Sequence, residues 1–554
     1  MSMQCQERHM PLRKRIVFYL LAFLISTVFS PAAAAAAAPA ALLKIADPGP
    51  ALSRSLAAAG AVVVQELNSC LLVYAPLPAL PRLRAQGVTF TVIAYPRDNV
   101  SFFLLYSEHD APLFSRKGAI QCRLLEDRIW LCWTTAADFR KNLAPPFRLK
   151  ALSLSSAPAP AAFAAVPDKE SYQIALQAGP LLAGLAAQVA VERLRADILA
   201  LQNFKTRFAS TPQCEAAGDF ILGRFRQIGL TAASDPFTFE SRYQSKNILA
   251  VIPGQVAPEL MVLACAHYDS TGNNPLISAP GADDNASGTA AVLEMARILA
   301  KERFDFSIGL LCVSAEEWGL YGSAHYADRA LRNGDKIIAV INLDMIAYPG
   351  DRQRVLDVIG NRQSEWLADL FIAVAQPLVE LRLAKVINSS LSWSDHSSFW
   401  DRGYAALCGI ENSINPYYHR SSDMLDTLDL GFATEAVQAS LAVVAALAQP
   451  ISTPAAPIGL RARSQVSASL FSSLKTVYLE WQANREPVSG YHVFRSDKSH
   501  GPYLRLSEQP IVATAFRDSL LLPGQNYYYV LTAVDEQGRE SNYSAEVRDD
   551  ENNR

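Results

Sequence analysis

Across residues 247–347 the chain repeats one pattern: an apolar run of strand length, a polar or glycine-bearing turn, then a stretch of helical periodicity. The runs are NILAVIPG, LMVLACAH, SIGLLCVSA and AVINLDMIA, with helices predicted over about 287–301 and 322–333. Strands that read as continuous apolar runs are covered on both faces, and strand–helix alternation predicts a largely parallel sheet flanked by helices, an α/β fold. Open sheets of this class bind ligands outside the carboxyl ends of their strands. Three motifs put acids or imidazoles there: AHYDS supplies His267, SAEEWG supplies Glu316 and Glu317, and NLDMIA supplies Asp344. GADDNASG adds Asp283 just before a predicted helix, and NPYYHRSSD adds His419.

One buried acid or histidine is usually a satisfied hydrogen-bonding group. The ordered set His267, Asp283, Glu317, Asp344 and His419 is different. Two imidazoles and three carboxylates suit two zinc ions, with one carboxylate bridging and two other ligands on each ion. Neighbouring residues on one backbone cannot aim at the same atom, so Glu317 as a ligand leaves Glu316 free to act as a general base.

The 554 residues exceed one ordinary domain, and an apolar share of 50% is enough for substantial cores. A formal net charge of -3, with no basic stripe interleaved with aromatics, argues against a nucleic-acid partner. Residues 1–38 read as an export signal. Arg13, Lys14 and Arg15 precede the apolar run IVFYLLAFLISTVF, and PAAAAAAAPA offers small residues for cleavage. The run is 14 residues long, short of the ~20 that span hydrocarbon, so the mature chain is expected to be secreted or periplasmic with no membrane span. Of the cysteines that remain, Cys265, Cys312 and Cys408 fall in apolar runs and read as buried thiols, while Cys122 and Cys132 lie where two neighbouring strands could be bridged.

Residues 41–150 contain an internal repeat: GAVVVQELNSCLLVYAP and GAIQCRLLEDRIWLCWT share a strand–turn–strand pattern. Each is followed by a helix-like stretch, PALPRLRAQ or AADFRKNLA, and a last strand, which predicts two related α+β units. This region carries no catalytic set and is expected to be a pro-region or cap, or else a permanent substrate-positioning domain. An Ala/Pro/Ser-rich linker over 151–168 leads to a catalytic domain over 169–452. Short strands with turn signals over 455–547 resemble a fibronectin type III module, a β-sandwich, with Trp481 buried in a strand and Tyr527 at a strand corner. The resemblance implies contact with a surface, a glycan or another protein.

HYDS, GADDNASG, AEEWGLYGS and LDM, in this order and spacing, resemble the secreted bacterial zinc aminopeptidase family with a co-catalytic metal pair. The wider superfamily includes glutamate carboxypeptidases, plasma carboxypeptidase-like enzymes and glutaminyl cyclases. The resemblance spans roughly 185–450. It implies two Zn2+ ions bridged by Asp283, with His267 and Asp344 completing one site and Glu317 and His419 the other. It further implies Asp269 behind His267, Glu316 as base, and a cis peptide between Asp283 and Asp284. Met345, directly after Asp344, would line the pocket for the first side chain, with Trp393 and Phe399 adding apolar wall. Peptide or protein N-termini with apolar first residues are the implied substrates. Asp395 and His396 in SDHSSFW match a family motif, but a structural hydrogen-bonded pair is preferred, and His325 reads as surface or packing. Relatives carry a tyrosine shortly before SDH that stabilises the oxyanion; Leu391 stands there in this chain, which leaves the oxyanion to the metal alone or to another donor such as Tyr417 or Tyr418.

Three other functions compete. A carboxypeptidase of the same fold needs a basic group for the substrate carboxylate, and the only cations near the motifs are Arg402 and Arg420. A glutaminyl cyclase uses one zinc, and an inactive binding protein loses ligands or base; the complete set argues against both.

Overall fold

The computed structural model describes residues 39–549 except 47–51, 97–99, 108–119, 135–146, 153, 155–178, 351–353, 450–453, 469–472, 485–486 and 536–537. The expected export signal at 1–38, the expected helix at 136–144 and nearly all of the expected linker at 151–168 lie outside the described residues. The chain divides after Gln449 into two compact units.

The first unit opens with two four-stranded antiparallel sheets. One contains β1 (Ala40–Ala46), β2 (Val62–Glu66), β3 (Cys70–Pro76) and β4 (Thr91–Ala94); the other contains β5 (Ser101–Ser107), β6 (Gln121–Glu126), β7 (Ile129–Thr134) and β8 (Phe147–Leu152). Their orders, β2-β3-β1-β4 and β6-β7-β5-β8, are the same order twice. The alternation of strand side chains decides the packing. Leu42 and Leu72 of the first sheet meet Leu104 and Leu131 of the second in one shared core, while Leu43, Ile45 and Val73 on the opposite face pack under the helices Leu52–Ala59 and Ala79–Ala85. Cys122 and Cys132 are cross-strand partners on β6 and β7 and form a disulfide. Cys70, Cys214, Cys265, Cys312 and Cys408 are buried free thiols.

The second part of this unit is built on an eight-stranded sheet. Its strands are β9 (Thr231–Phe239), β10 (Tyr243–Ile252), β11 (Ala257–His267), β12 (Phe306–Val313), β13 (Lys336–Leu343), β14 (Val355–Gly360), β15 (Arg382–Ile387) and β16 (Ala406–Glu411). The order is β15-β14-β16-β13-β11-β12-β10-β9. The centre, β16-β13-β11-β12, is parallel, whereas β10 runs antiparallel to both β12 and β9, and β14 antiparallel to β16. The sheet is therefore mixed, with a parallel core.

The apolar runs follow from burial on both faces. Along β11, Val262, Ala264 and Ala266 face the larger core with the helices Pro212–Gln227, Gly288–Leu299 and Leu430–Leu447, while Leu263 and Cys265 face a smaller core with Tyr326, Ala330 and Phe399. Local signals set the helix starts: Thr211 accepts a hydrogen bond from Cys214 N ahead of Pro212, and Asp429 accepts one from Phe432 N at 2.9 Å. Among the described residues, Leu430–Leu447 is the one helix long and apolar enough to cross a membrane, and it is mostly buried in the core.

In the second unit, β17 (Arg461–Ala468), β18 (Ser473–Glu480) and β21 (Ala515–Leu521) form one sheet. The other contains β19 (Gly490–Ser496), β20 (Leu504–Arg505), β22 (Tyr528–Val534) and β23 (Val547–Arg548). Val477 and Leu479 of the first sheet share a core with Val493, Tyr529 and Leu531 of the second. Trp481 and Tyr527 are both buried there, and the Tyr527 hydroxyl accepts from Leu522 N at 3.3 Å. Tyr529 points inward and donates to Asp518 Oδ2 at 2.9 Å, so these rings belong to the core and not to an exposed glycan-binding face.

Candidate metal centre

Parallel registration brings the three motifs to one edge of the sheet. His267, the last residue of β11, is level with Val313 of β12, and Cys265 is level with Asn342 of β13. The loops that leave β12 and β13 therefore carry Glu316, Glu317 and Asp344 past the His267 ring. Among the described residues, two groups could each hold a cation: His267 with Glu316 and Asp344, and Asp284 with Glu317 and His419.

Asp284 spans the two groups. Its Oδ1 lies 3.3 Å from His267 Nε2 and its Oδ2 lies 3.3 Å from His419 Nε2. Asp344 Oδ1 is 3.4 Å from His267 Nε2, and Glu317 Oε2 is 2.9 Å from His419 Nε2. Glu316 stands further off, its Oε2 4.0 Å from His267 Nε2. Asp269 fastens the arrangement. Its carboxylate accepts from Glu316 N at 3.1 Å and Glu317 N at 3.3 Å, and Oδ1 and the backbone oxygen sit 3.6 Å and 3.2 Å from His267 Nδ1.

Two sequence assignments are corrected here. The carboxylate between the imidazoles is that of Asp284, not Asp283. Asp283 turns the other way and accepts from Ala347 N at 3.0 Å and Asn415 Nδ2 at 2.8 Å. The cis peptide follows Asp284, joining it to Asn285, and does not lie between the two aspartates. The cause is local. Asp423 takes both amides, Asp283 N on Oδ1 at 2.9 Å and Asp284 N on Oδ2 at 3.0 Å, so the two successive side chains project to different sides. Gly281 adopts φ +50° at the entrance to the motif, a region that favours glycine. At its exit a Cβ on Gly288 would lie 2.3 Å from Leu343 O, so only glycine lets the helix start this close to the strand carrying Asp344.

Burial and charge fix the protonation pattern. Burial raises the Glu316 carboxyl well above its ordinary range, with Glu317 and Asp344 adding to the effect. Burial and Asp284 push Glu317 up to about 7. Burial opposes the charged forms of the imidazoles, yet the carboxylates prevail: Glu317 and Asp284 raise His419 to about 9, and Glu316, Asp269, Asp284 and Asp344 raise His267 well above its usual value. Burial works against the Asp284 carboxylate too, but the two imidazoles hold it well below the usual carboxylate range. Protons and cations would compete for these donors, so cation binding would release protons. The donors fit zinc: two imidazoles and four carboxylates lie together, buried except for the half-buried Glu316 and Glu317, and Glu317 Oε1 has no hydrogen-bond partner among the described residues.

The remaining sequence candidates separate. Met345, at φ +53°, is buried beside Ile359, Cys408 and Ile410, with Trp393 and Tyr418 at the edge of the cluster. Phe399 does not join them. It is fully buried in a separate core on the same face of the sheet, against Tyr326 and Tyr404, because the short helix His396–Trp400 turns it inward. His396 donates from Nε2 to Leu391 O at 2.8 Å instead of pairing with Asp395, and burial pushes its imidazole down to about 3. Burial pushes Asp395 up to about 7. His325 stacks on Phe237 and faces Asp235, and Arg402 is held by Asp328 at 2.8 Å. The sequence reading also omitted Asp423, Glu411 and Arg148. Glu411 is buried beside Asp283, and both bond Asn415. Arg148 reaches the centre from β8, more than 100 residues from any motif, and no local pattern marks it.

Residues 247–444 match the model of Peptidase family M28. A "Probable leucine aminopeptidase" of Arthroderma otae (strain ATCC MYA-4605 / CBS 113480) is 24% identical over 294 residues, covering 50% of this chain and 78% of that protein. A "Probable zinc metalloprotease" of Pyrenophora tritici-repentis (strain Pt-1C-BFP) is 32% identical over 196 residues, 31% of this chain and 40% of that one. Among solved structures, LapB from Legionella pneumophila is 15% identical with a TM-score of 0.45, covering 74% of this chain and 99% of that one. The M28 match and the relatives support a hydrolase of zinc aminopeptidase-like kind at family level, acting on peptides.

Proposed function

We propose that this protein is an exported di-zinc aminopeptidase that hydrolyses the first peptide bond of substrates with a free N-terminus. The observation that carries the reading is Asp284, one oxygen on each imidazole, at the centre of two ligand groups. His267, Asp344 and one oxygen of Asp284 would hold one zinc; Glu317, His419 and the other oxygen of Asp284 would hold the second. Bound there, a zinc pair polarises the scissile carbonyl and lowers the pKa of a bound water toward ~7. Glu316, its Oε2 4.0 Å from His267 Nε2, takes the water's proton and passes it to the leaving amine. Asp269 keeps Glu316 and Glu317 in register through their amides. Tyr418, whose ring stacks on His419 at 3.8 Å, is the oxyanion donor where Leu391 replaces a tyrosine. The free amine is held by the site's carboxylates, and Met345 and Trp393 contact the first side chain, which we take to be apolar.

The test compares Leu-Leu with acetyl-Leu-Leu on the zinc-loaded protein. Cleavage of the free peptide alone supports the reading; equal rates on both end it. A second reading, a carboxypeptidase, is favoured by Arg148, a cation beside the reacting centre that can take a substrate carboxylate. We further propose that residues 1–38 are removed on export, so the N-terminal residue of the mature protein would lie near 39, and that the second unit is a fibronectin type III-like module.

A further inference from the structure

Arg148 belongs to β8 of the N-terminal sheets, yet its side chain lines the metal centre together with Asp284, Glu316, Asp344 and His419. Aromatic rings hold it. Its guanidinium carbon is 3.6 Å from the centre of the Trp393 ring and 5.1 Å from that of Tyr418. Nε donates to the Tyr418 hydroxyl at 3.0 Å, and Nη2 faces Met345 Sδ at 3.8 Å. Nη1 is buried and has no hydrogen-bond partner among the described residues. A buried donor without an acceptor is costly, and a guanidinium fork is shaped for a carboxylate.

The strand that carries Arg148 is firmly seated. Two residues on, the buried Lys150 Nζ lies 2.9 Å from Asp401, and Ala151 N donates to Gly319 O at 3.1 Å. On β5 the Tyr106 hydroxyl is 2.5 Å from Ser392 Oγ. The space at the ligand groups is only about 10 Å³, but Arg148 also borders a cavity of about 290 Å³ along Met345 and Asn415, and one of about 500 Å³ beyond Trp393.

We propose that Arg148 is a specificity-determining residue that binds the free α-carboxylate one residue beyond the scissile bond, which makes dipeptides the preferred substrate class. This deepens the aminopeptidase reading and rests on it. A dipeptide presents both ends at once: its amine goes to the site's carboxylates and its α-carboxylate to the unpartnered Nη1 of Arg148. The N-terminal sheets are then a permanent part of the substrate site and not a pro-region to be discarded.

The experiment uses the full-length zinc-loaded protein with three peptides: Leu-Leu, Leu-Leu-amide and Glu-Leu-amide. For the wild type, kcat/KM for Leu-Leu should exceed that for Leu-Leu-amide by ~10- to 100-fold, the scale of one charged hydrogen-bonded contact. Arg148→Ala should bring the ratio close to one and Arg148→Lys should leave it intermediate, with thermal melting checking that each variant is folded. Calorimetric binding of the same peptides to zinc-loaded Glu316→Gln should follow the same order, with and without Arg148→Ala. Three outcomes overturn the proposal. An unchanged ratio in Arg148→Ala means that the guanidinium does not read the carboxylate. Faster cleavage of both leucyl peptides by the same factor means that Arg148 is a plug. An Arg148-dependent preference for Glu-Leu-amide means that it reads a side-chain carboxylate. If the wild type cleaves none of the three, the peptidase reading fails, and the binding order alone decides the role of Arg148.

Discussion

Asp283 and Asp284 are adjacent, identical in side chain and both buried, yet their replacement should have opposite consequences. In Asp284→Ala each cation loses one donor, because one oxygen faces His267 and the other His419. Structural zinc sites bind with ~10–16 kcal/mol over about four donors, so one donor is worth ~3–4 kcal/mol, or ~10²–10³ in affinity at each ion. In Asp283→Asn no ligand atom is lost. Its two oxygens accept from Ala347 N and Asn415 Nδ2, and an amide can serve only one of those donors. One buried donor is stranded, at ~1–3 kcal/mol of folding stability. Dialysis against buffered zinc followed by metal analysis should find Asp284→Ala depleted at both positions and Asp283→Asn loaded like the wild type, with a lowered melting temperature. If Asp283→Asn loses both ions while Asp284→Ala retains them, the assignment drawn from the Asp423 clamp is wrong.

Glu316→Gln should keep zinc content and fold while kcat falls by at least ~10²-fold, measured on Leu-Leu; a smaller loss assigns the base elsewhere. His396 is held neutral, its pKa pushed down to about 3, while the unfolded chain protonates it near ~6.5. The unfolded state therefore binds more protons between those values, and stability falls as pH drops. Urea unfolding of the zinc-free protein should lose ~2 kcal/mol more between pH 6.5 and 5 in the wild type than in His396→Gln, or the buried neutral imidazole is not what the acid attacks. Gly288→Ala puts a Cβ 2.3 Å from Leu343 O, so it should destabilise by ~1–3 kcal/mol and lower zinc affinity through the displaced Asp344 strand, both read by melting with and without zinc.

The parts of this molecule that sequence made legible are those where one physical constraint governs a run of residues. The runs in β11, β12 and β13 are apolar because both faces are covered, and their carboxyl ends locate His267, Glu316, Glu317 and Asp344. Strand direction at the flanks was not legible: β10 reads like its neighbours but pairs antiparallel, since an apolar run is the same in either direction. The choice between Asp283 and Asp284 depends on Asp423, about 140 residues on, and periodicity carries no such information. Phe399 looked like pocket wall because it follows SDH, but the short helix His396–Trp400 turns it away from Met345 into the core with Tyr326 and Tyr404. Arg148 was invisible for the same reason as Asp423: its meaning lies in a tertiary neighbour and not in its own stretch of chain.

The seat of β8 has a consequence for handling and for evolution alike. β8 is the outer strand of its sheet, and such an edge offers unpaired amides and carbonyls to any passing chain. Here Gly319 O occupies Ala151 N, and Asp401 neutralises the buried Lys150. Detaching the N-terminal sheets would open that edge and a buried lysine to solvent at the same moment as it uncovered the metal ligands. A severed protein would carry a strand able to recruit a second copy of itself, so solubility and substrate access are tied to one contact. Mutations that loosen it would be met first as aggregation, whatever they did to catalysis.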